Sequence, residues 1–310
     1  MLDLRSKIME AIGIKTGDVL GKVEYRILDT SNENGYKRKL IEIDSHEDKI
    51  FAFLLIPDLV NKNPAILINH QHNGERHLGK GEVCGLAGNP LQAFGPVLAQ
   101  KGFVVLAPDS ICFEERRKGG KGINPLPGDS DFLQHYNAMC YRIVKGENLM
   151  KKVLSDAMNC ITLLSMFSFV DSENIGTLGH SYGGNTVLFL SAMDERIKFS
   201  CASGSGCSYK NRIMNDVGIE MASVIPGFAQ KYDIQDLVRC IAPRSLLIVS
   251  AEDDKYSKDA DFVVEQAKPS YVEHKSANNL CSMRYSGGHP LTRERFDFIV
   301  EWITENGNHN

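Results

Sequence analysis

Hydrophobic and polar residues follow two different patterns along this chain of 310 residues. The first 60 residues contain short runs rich in β-branched and aromatic side chains, separated by turn-forming stretches such as residues 31–35, which is typical of antiparallel strands. Beyond them, short apolar runs alternate with longer segments of helical periodicity, and this predicts parallel strands joined by crossover helices. The strands predicted there are Ala65–Asn69, Phe103–Ala107, Ile175–Leu178, Ser245–Ser250 and Met283–Tyr285, and the helices are Leu91–Lys101, Glu147–Phe167, Gly184–Met193, Ala260–Ala267 and Thr292–Glu305.

This alternation predicts one α/β domain over residues 1–310, in which residues 1–60 form an antiparallel entry to the sheet. The hydrophobic content of 43% is enough to bury the core of a single large domain. Two segments fit the alternation poorly. Residues 113–146 are rich in Gly, Pro, Lys and Arg and connect a strand to a helix over an unusually long distance. We expect residues 113–146 and 205–232 to be lid-like insertions over the active site.

Charge and cysteine content limit the partners and the compartment. The chain has 35 Lys and Arg against 39 Asp and Glu, so its net charge of −4 offers no basic field for nucleic acid or anionic lipid. The apolar stretches Phe51–Pro57 and Ile161–Val170 are shorter than the roughly 20 residues that span a bilayer. Residues 1–8 mix charges where a signal peptide would be apolar, and the eight cysteines show no paired framework. We expect a cytoplasmic protein that binds neither nucleic acid nor membranes, with its oligomeric state left open.

The strongest chemical signal is the segment Gly179-His180-Ser181-Tyr182-Gly183. It follows the predicted strand Ile175–Leu178 and precedes a helical run, which is the context in which a G-x-S-x-G motif lifts a serine onto a sharp turn. The helix begins directly behind the serine, so its N-terminal amides and dipole face an oxyanion that forms there. Ser181 is therefore the predicted nucleophile and the Tyr182 N–H a predicted oxyanion donor. His180 is predicted to pack in the core.

A serine nucleophile needs a base to take its proton and a carboxylate to orient that base, in the chain order Ser, acid, His. The predicted strand Ser245–Ser250 leads into two adjacent acids. Asp254 is favoured because it lies three positions past the small residue Ala251, and Asp253 is the alternative. His289 lies in a glycine-containing loop between the last predicted strand and the C-terminal helix, so it is the predicted base.

A metal site is an alternative use for the histidines that follow the strand Ala65–Asn69. His70, His72 and His77 are close together in the sequence. Zinc normally needs a third or fourth converging ligand with supporting partners, and no acid or cysteine cluster matches this spacing. We predict no metal and no cofactor.

Six segments of the chain form a recognisable set, namely His70–Gly74, Gly79–Glu82, Gly102–Asp109, Gly179–Gly184, Asp194–Lys198 and Ala242–Leu247. Together they resemble the dienelactone-hydrolase-related branch of the α/β-hydrolase superfamily, which includes acetyl-xylan-esterase-like and prolyl-oligopeptidase-like catalytic domains. The resemblance covers about residues 40 to 305. It implies an α/β-hydrolase fold with a mostly parallel twisted sheet of about eight strands flanked by helices.

The resemblance also bears on individual residues and on the reaction. Relatives with H-G-x after the corresponding strand use the backbone N–H of the residue after the glycine, which makes His72 the second oxyanion donor, although Gln71 replaces that glycine here. Dienelactone hydrolases carry a cysteine nucleophile, whereas Ser181 favours ordinary ester chemistry. Prolyl oligopeptidases carry an added propeller, for which 310 residues leave no room, so a peptidase is the weaker expectation.

The sequence thus predicts a serine hydrolase that cleaves a small-molecule carboxylic ester, lactone or thioester through an acyl-enzyme intermediate. Two alternatives stay open. An acyltransferase or lyase can use the same fold. A non-catalytic binding protein could also retain the fold, although all three triad positions hold competent residues.

Overall fold

A computed structural model describes residues 3–59, 61–120 and 122–308, so the outermost residues of the predicted domain lie outside the described residues. The strands are β1 Tyr25–Glu33, β2 Tyr36–Asp44, β3 Lys49–Pro57, β4 Asn63–Asn69, β5 Val104–Pro108, β6 Val170–His180, β7 Ile197–Ser203, β8 Ser245–Ala251 and β9 Leu280–Tyr285. The helices are α1 Leu4–Ile12, α2 Lys80–Val83, α3 Phe94–Gln100, α4 Ser130–Val144, α5 Leu149–Met166, α6 Tyr182–Met193, α7 Tyr209–Met214, α8 Ile234–Ile241, α9 Ala260–Glu273 and α10 Arg293–Gly307.

The nine strands form one sheet in the order β1-β2-β3-β5-β4-β6-β7-β8-β9. The first three strands and β5 pair antiparallel, and the strands from β5 to β9 pair parallel. The predicted antiparallel entry to a mostly parallel sheet is therefore confirmed. The sheet has nine strands rather than about eight, and β7 is a strand that the apolar pattern did not predict.

Alternating strand residues pack on the two faces of the sheet. Leu67 and Leu106 belong to the core under α5, α6, α8 and α9, whereas Ile66 and Val105 belong to the core under α3 and α10. Successive side chains of a strand point to opposite faces, so a strand covered on both sides is apolar throughout. This explains the unbroken apolar runs of the central strands.

Several predicted boundaries differ from the structure. Strand β1 continues to Glu33, so the predicted turn over residues 31–35 shrinks to the two-residue Asn34-Gly35 hairpin, in which Gly35 has a φ of 87°. The predicted helix Leu91–Lys101 is instead a 3₁₀ turn at Pro90–Gln92 followed by α3. Residues 113–146 are more regular than predicted, because they contain the 15-residue helix α4. None of the helices described has the length and apolar character needed to cross a bilayer.

Candidate active site

Ser181 lies on a sharp turn between β6 and α6. Its backbone has φ 58° and ψ −117°, a left-handed conformation that is rare for a residue with a side chain. A Cβ atom on Gly179 would overlap the backbone of Gly183, and a Cβ on Gly183 would overlap the carbonyl oxygen of Asn69. The two glycines of the motif therefore permit the close chain crossing that holds the strained serine.

Replacing Gly183 with alanine is expected to destabilise the fold by roughly 1–3 kcal/mol, because the added methyl group has no space beside the Asn69 carbonyl. Gly21→Ala is the matched control, since a Cβ at Gly21 meets no atom within 4 Å and this change should alter stability by less than about 0.5 kcal/mol. Urea unfolding of both variants measures the difference. Equal stability of the two variants would contradict a tightly packed elbow.

The structure brings the three predicted triad residues together. The Nε2 atom of His289 lies 2.9 Å from the Ser181 Oγ, and its Nδ1 atom lies 3.0 Å from Oδ1 of Asp254. The Nδ1–H direction falls short of hydrogen-bond alignment with Oδ1. Such contacts often tighten when substrate binds. The arrangement leaves Nε2 free to accept the serine proton while Nδ1 faces a carboxylate.

Asp254 is held as an ionised acid. Its side chain is buried, and its oxygens accept hydrogen bonds from the Tyr256 N–H at 2.9 Å and the Ser257 hydroxyl at 2.7 Å. Burial by itself would raise the pKa of Asp254, but the partners His289, Ser257 and Tyr256 lower it below its ordinary value. Asp253, the alternative acid, is exposed, and its backbone N–H donates to the Gly287 carbonyl in the loop that carries the histidine.

Residues that were not predicted as part of the site fix the histidine in place. The rings of His180 and Tyr256 each lie 4.9 Å from the His289 ring, measured between centroids. Burial, followed by the charge of His289, lowers the pKa of His180 to about 3, so this core histidine stays neutral. Arg295 donates hydrogen bonds to the carbonyls of Ser286, Gly288 and Pro290, which secures the loop on both sides of His289.

The two predicted oxyanion donors line the same cavity as Ser181. Within the three described stretches of chain, the structure gives neither the Tyr182 nor the His72 backbone N–H a hydrogen-bond acceptor. The His72 carbonyl accepts from the Glu75 N–H at 2.6 Å and its Nδ1 accepts from the Gly74 N–H at 2.9 Å, so this loop forms a tight turn. Both amides are therefore available to an oxygen bound beside Ser181.

The histidines considered as metal ligands are used differently. Nδ1 of His70 lies 2.6 Å from the Gln71 carbonyl, and Nε2 accepts from the Ser110 N–H at 3.0 Å, so both ring nitrogens are engaged. Burial, followed by the charge of Arg76, lowers the pKa of His72 to about 4. Three acids elsewhere, Asp109, Glu114 and Glu115, bring their oxygens together.

These three acids surround a buried lysine. The ammonium group of Lys80 lies 3.0 Å from Asp109 and 2.6 Å from Glu114, and it also contacts Glu115. The lysine supplies the positive charge that the carboxylates need in this buried position. The group is thus a structural ion cluster that fixes residues 79–81 against the segment after β5.

The cavity beside Ser181 has a volume of about 270 Å³. It is lined by Ser181, Tyr182, Asn185, Gly204, His289, residues 72–74, Tyr256 and residues from the segment 205–232. The lining residues contributed by that segment are Arg212, Gly218, Ile219 and Glu220. The site thus places a serine hydroxyl, an imidazole, a buried carboxylate and two free amides beside a partly polar cavity.

A mostly parallel sheet flanked by helices, with a serine on the strand–helix turn after β6, an acid after β8 and a histidine after β9, is the α/β-hydrolase fold. The fold predicted from the sequence is confirmed. Within it, residues 141–257 match the model of the prolyl oligopeptidase family.

Individual proteins resemble the chain over most of its length. A Bacillus subtilis (strain 168) protein named "Putative hydrolase YtaP" is 23% identical over 292 residues, which is 91% of this chain and 92% of that protein. The structure is similar to that of "a putative acetyl xylan esterase" from Bacteroides fragilis NCTC 9343, with a TM-score of 0.72, 16% identity, and 91% of this chain and 73% of that chain covered. It is also similar to a glucuronoyl esterase from Solibacter usitatus, with a TM-score of 0.66, 14% identity, and 98% and 92% of the two chains covered.

Proposed function

We propose that this protein is a serine hydrolase that cleaves a carboxylic ester through an acyl-enzyme intermediate. The observation that carries the proposal is the hydrogen-bond distance of 2.9 Å between the Ser181 Oγ and His289 Nε2, with Asp254 at 3.0 Å on the other side of the imidazole. A serine hydroxyl is a weak nucleophile until a base of this kind takes its proton.

In the first half of the reaction, His289 accepts the Ser181 proton as Oγ attacks the ester carbonyl carbon. The amides of Tyr182 and His72 donate to the oxygen that becomes negative, and Asp254 stabilises the imidazolium. Collapse of the tetrahedral intermediate breaks the bond to the alcohol, which leaves with the proton from His289. In the second half, His289 deprotonates a water molecule that attacks the acyl carbon, and Ser181 leaves with the proton restored.

The cavity supports a small-molecule ester or lactone as substrate. Its volume of about 270 Å³ accommodates a short acyl or alcohol group. Proteins of similar structure are named as esterases, which agrees with this reaction. We further propose that residues 113–146 and 205–232 are insertions that shape the site. We also propose that the protein is located in a reducing cytoplasm, because all eight cysteines are free of disulfides.

Labelling with a fluorophosphonate tests the proposal directly. Mass spectrometry of the folded protein is expected to show one adduct on Ser181, and the Ser181→Ala variant none. A panel of p-nitrophenyl esters of increasing acyl length should show turnover that is strongest for short acyl groups. Folded protein that forms no adduct would contradict the proposed nucleophile and favour a binding protein.

Hydrolysis of amides is a second candidate, because residues 141–257 match the prolyl oligopeptidase family. The same chemistry cleaves a peptide bond when the leaving amine can be protonated. Matched ester and anilide substrates that share one acyl group separate the two activities. A kcat/KM for the anilide that equals or exceeds that for the ester would make the protein a peptidase or amidase.

A further inference from the structure

The inference concerns an arginine in the wall of the catalytic cavity. Arg212 lies on α7 and is 6% exposed. Its guanidinium donates to the carbonyls of Cys207 at 3.4 Å, Gly218 at 2.7 Å and Tyr256 at 3.4 Å. No carboxylate oxygen lies within 4.0 Å of its nitrogens in the part of the chain that the structure describes. A buried guanidinium without an anionic partner is an uncompensated charge.

Arg212 is close to the reacting groups. Its guanidinium carbon lies 5.6 Å from the centre of the Tyr256 ring, and the Tyr256 ring in turn lies 4.9 Å from the ring of His289. Arg212 and Ser181 line one cavity. A guanidinium has five N–H groups, so Nη1 and Nη2 each keep one donor beyond those given to the carbonyls. Two such donors in one plane match the two oxygens of a carboxylate.

The acid in the same wall offsets this charge only in part. Glu220 lines the cavity, and its Oε2 accepts from the Ala222 N–H at 2.9 Å. Its Oε1 is shielded from solvent and has no partner among the residues described. Burial raises the pKa of Glu220 to about 7, although neighbouring backbone amides and Arg76 lower it. Near neutral pH a large share of Glu220 is therefore uncharged, and Arg212 leaves the cavity positive.

We infer that the substrate ester carries a carboxylate and that Arg212 binds it. This inference rests on the proposed function and names the chemical class of its substrate. Other buried arginines, Arg244 and Arg295, also donate to carbonyls, but they do not line the cavity. Position in the catalytic cavity thus distinguishes Arg212 from arginines that only hold loops together.

Two matched pairs of esters test the inference. The first pair is mono-4-nitrophenyl adipate and its methyl ester, which places the carboxylate on the acyl side. The second pair is 4-acetoxybenzoate and its methyl ester, which places the carboxylate on the alcohol side. For at least one pair, kcat/KM is expected to favour the charged ester by about tenfold, the size of a charge-assisted hydrogen bond.

The Arg212→Gln variant is expected to reduce this preference to about one, mainly through KM, and Arg212→Lys to keep part of it. Lys210→Gln removes a positive charge from the exposed side of the same helix, and its preference should equal that of the wild type. Labelling by fluorophosphonate reports whether each variant is folded with a working triad. No preference for the charged ester in either pair, or one that Arg212→Gln leaves unchanged, would overturn the inference.

The outcomes also separate this inference from the proposed function. Turnover of the neutral esters and an adduct on Ser181, without any effect of the carboxylate, would refute the role of Arg212 alone. Failure of all four esters together with failure of labelling would refute the hydrolase proposal itself.

The pH dependence of the preference gives a second test. As the pH rises from about 6 to 8, Glu220 ionises and repels a bound carboxylate, so the preference should fall in the wild type and stay level in Glu220→Gln. A pH effect on the chemical step that both esters of a pair share cancels in the ratio. A level preference in the wild type would show that Glu220 does not oppose the anion. The other charged or titratable groups that face Glu220 are Arg76, Tyr182, Tyr209 and Arg212.

Discussion

Replacing Ser181 with alanine is expected to lower kcat for ester hydrolysis on the order of 10⁶-fold, because no other side chain at the elbow can form the acyl-enzyme. The His289→Ala variant should lose a similar factor, since the serine hydroxyl then has no base 2.9 Å away. The double variant should be no slower than either single one, because the two groups act in one step. Steady-state kinetics with a short p-nitrophenyl ester measures all three.

Circular dichroism of each variant controls for loss of structure. Ser181 is strained, so an alanine there keeps the same backbone demand and should not relieve it. Losses that multiply in the double variant would mean that Ser181 and His289 act independently, which is incompatible with proton transfer between them.

The position of Ser181 on a strand–helix turn could be predicted from sequence because the requirements of such a turn are local. A buried strand, two glycines and a following helix all lie within residues 175–193, and each can be recognised in the local sequence pattern. The reason for the glycines is not local. Residue 183 must be small because the backbone of Asn69, from another strand, lies against it, and no local sequence pattern predicts that contact.

The proximity of Asp254 and His289 could be predicted because parallel strands deliver their carboxyl ends to one edge of the sheet. Asp254 and His289 follow β8 and β9, which pair directly. Strand β7, which the apolar pattern did not predict, shows where reasoning from hydropathy fails. Its residues Ile197–Ser203 include Lys198, Ser200 and Ser203, so the segment lacks the continuous apolar run that marks the other central strands.

The individual residues of the cavity wall could not be predicted. Arg212 and Glu220 come from a segment without a regular pattern, and only tertiary packing brings them beside Ser181. Neither the hydropathy nor the residue spacing of this segment indicates that polar atoms of these side chains are buried. The residues proposed to carry out the reaction can thus be predicted from a few short motifs, whereas the residues that line the cavity come together through contacts between parts of the chain far apart in sequence.

The choice between the two adjacent acids can be decided by a matched pair of variants. Asp254→Asn is expected to lower kcat by about 10⁴-fold, because an amide cannot stabilise the imidazolium and favours the wrong tautomer of His289. Asp253→Asn should change kcat by less than about threefold, since its exposed side chain makes no contact with the histidine and its backbone hydrogen bond to Gly287 is retained.

Both substitutions remove one negative charge from neighbouring positions, so the general electrostatic effect is shared and only the contact with His289 differs. The hydrogen-bond partners of Asp254 outweigh the opposing effect of burial, so Asp254 is the acid whose ionised form the fold stabilises. Kinetics of both variants and the wild type at one common pH compares them on equal terms. A larger loss in Asp253→Asn than in Asp254→Asn would reassign the orienting acid to Asp253 and require the loop after β8 to change its conformation when substrate binds.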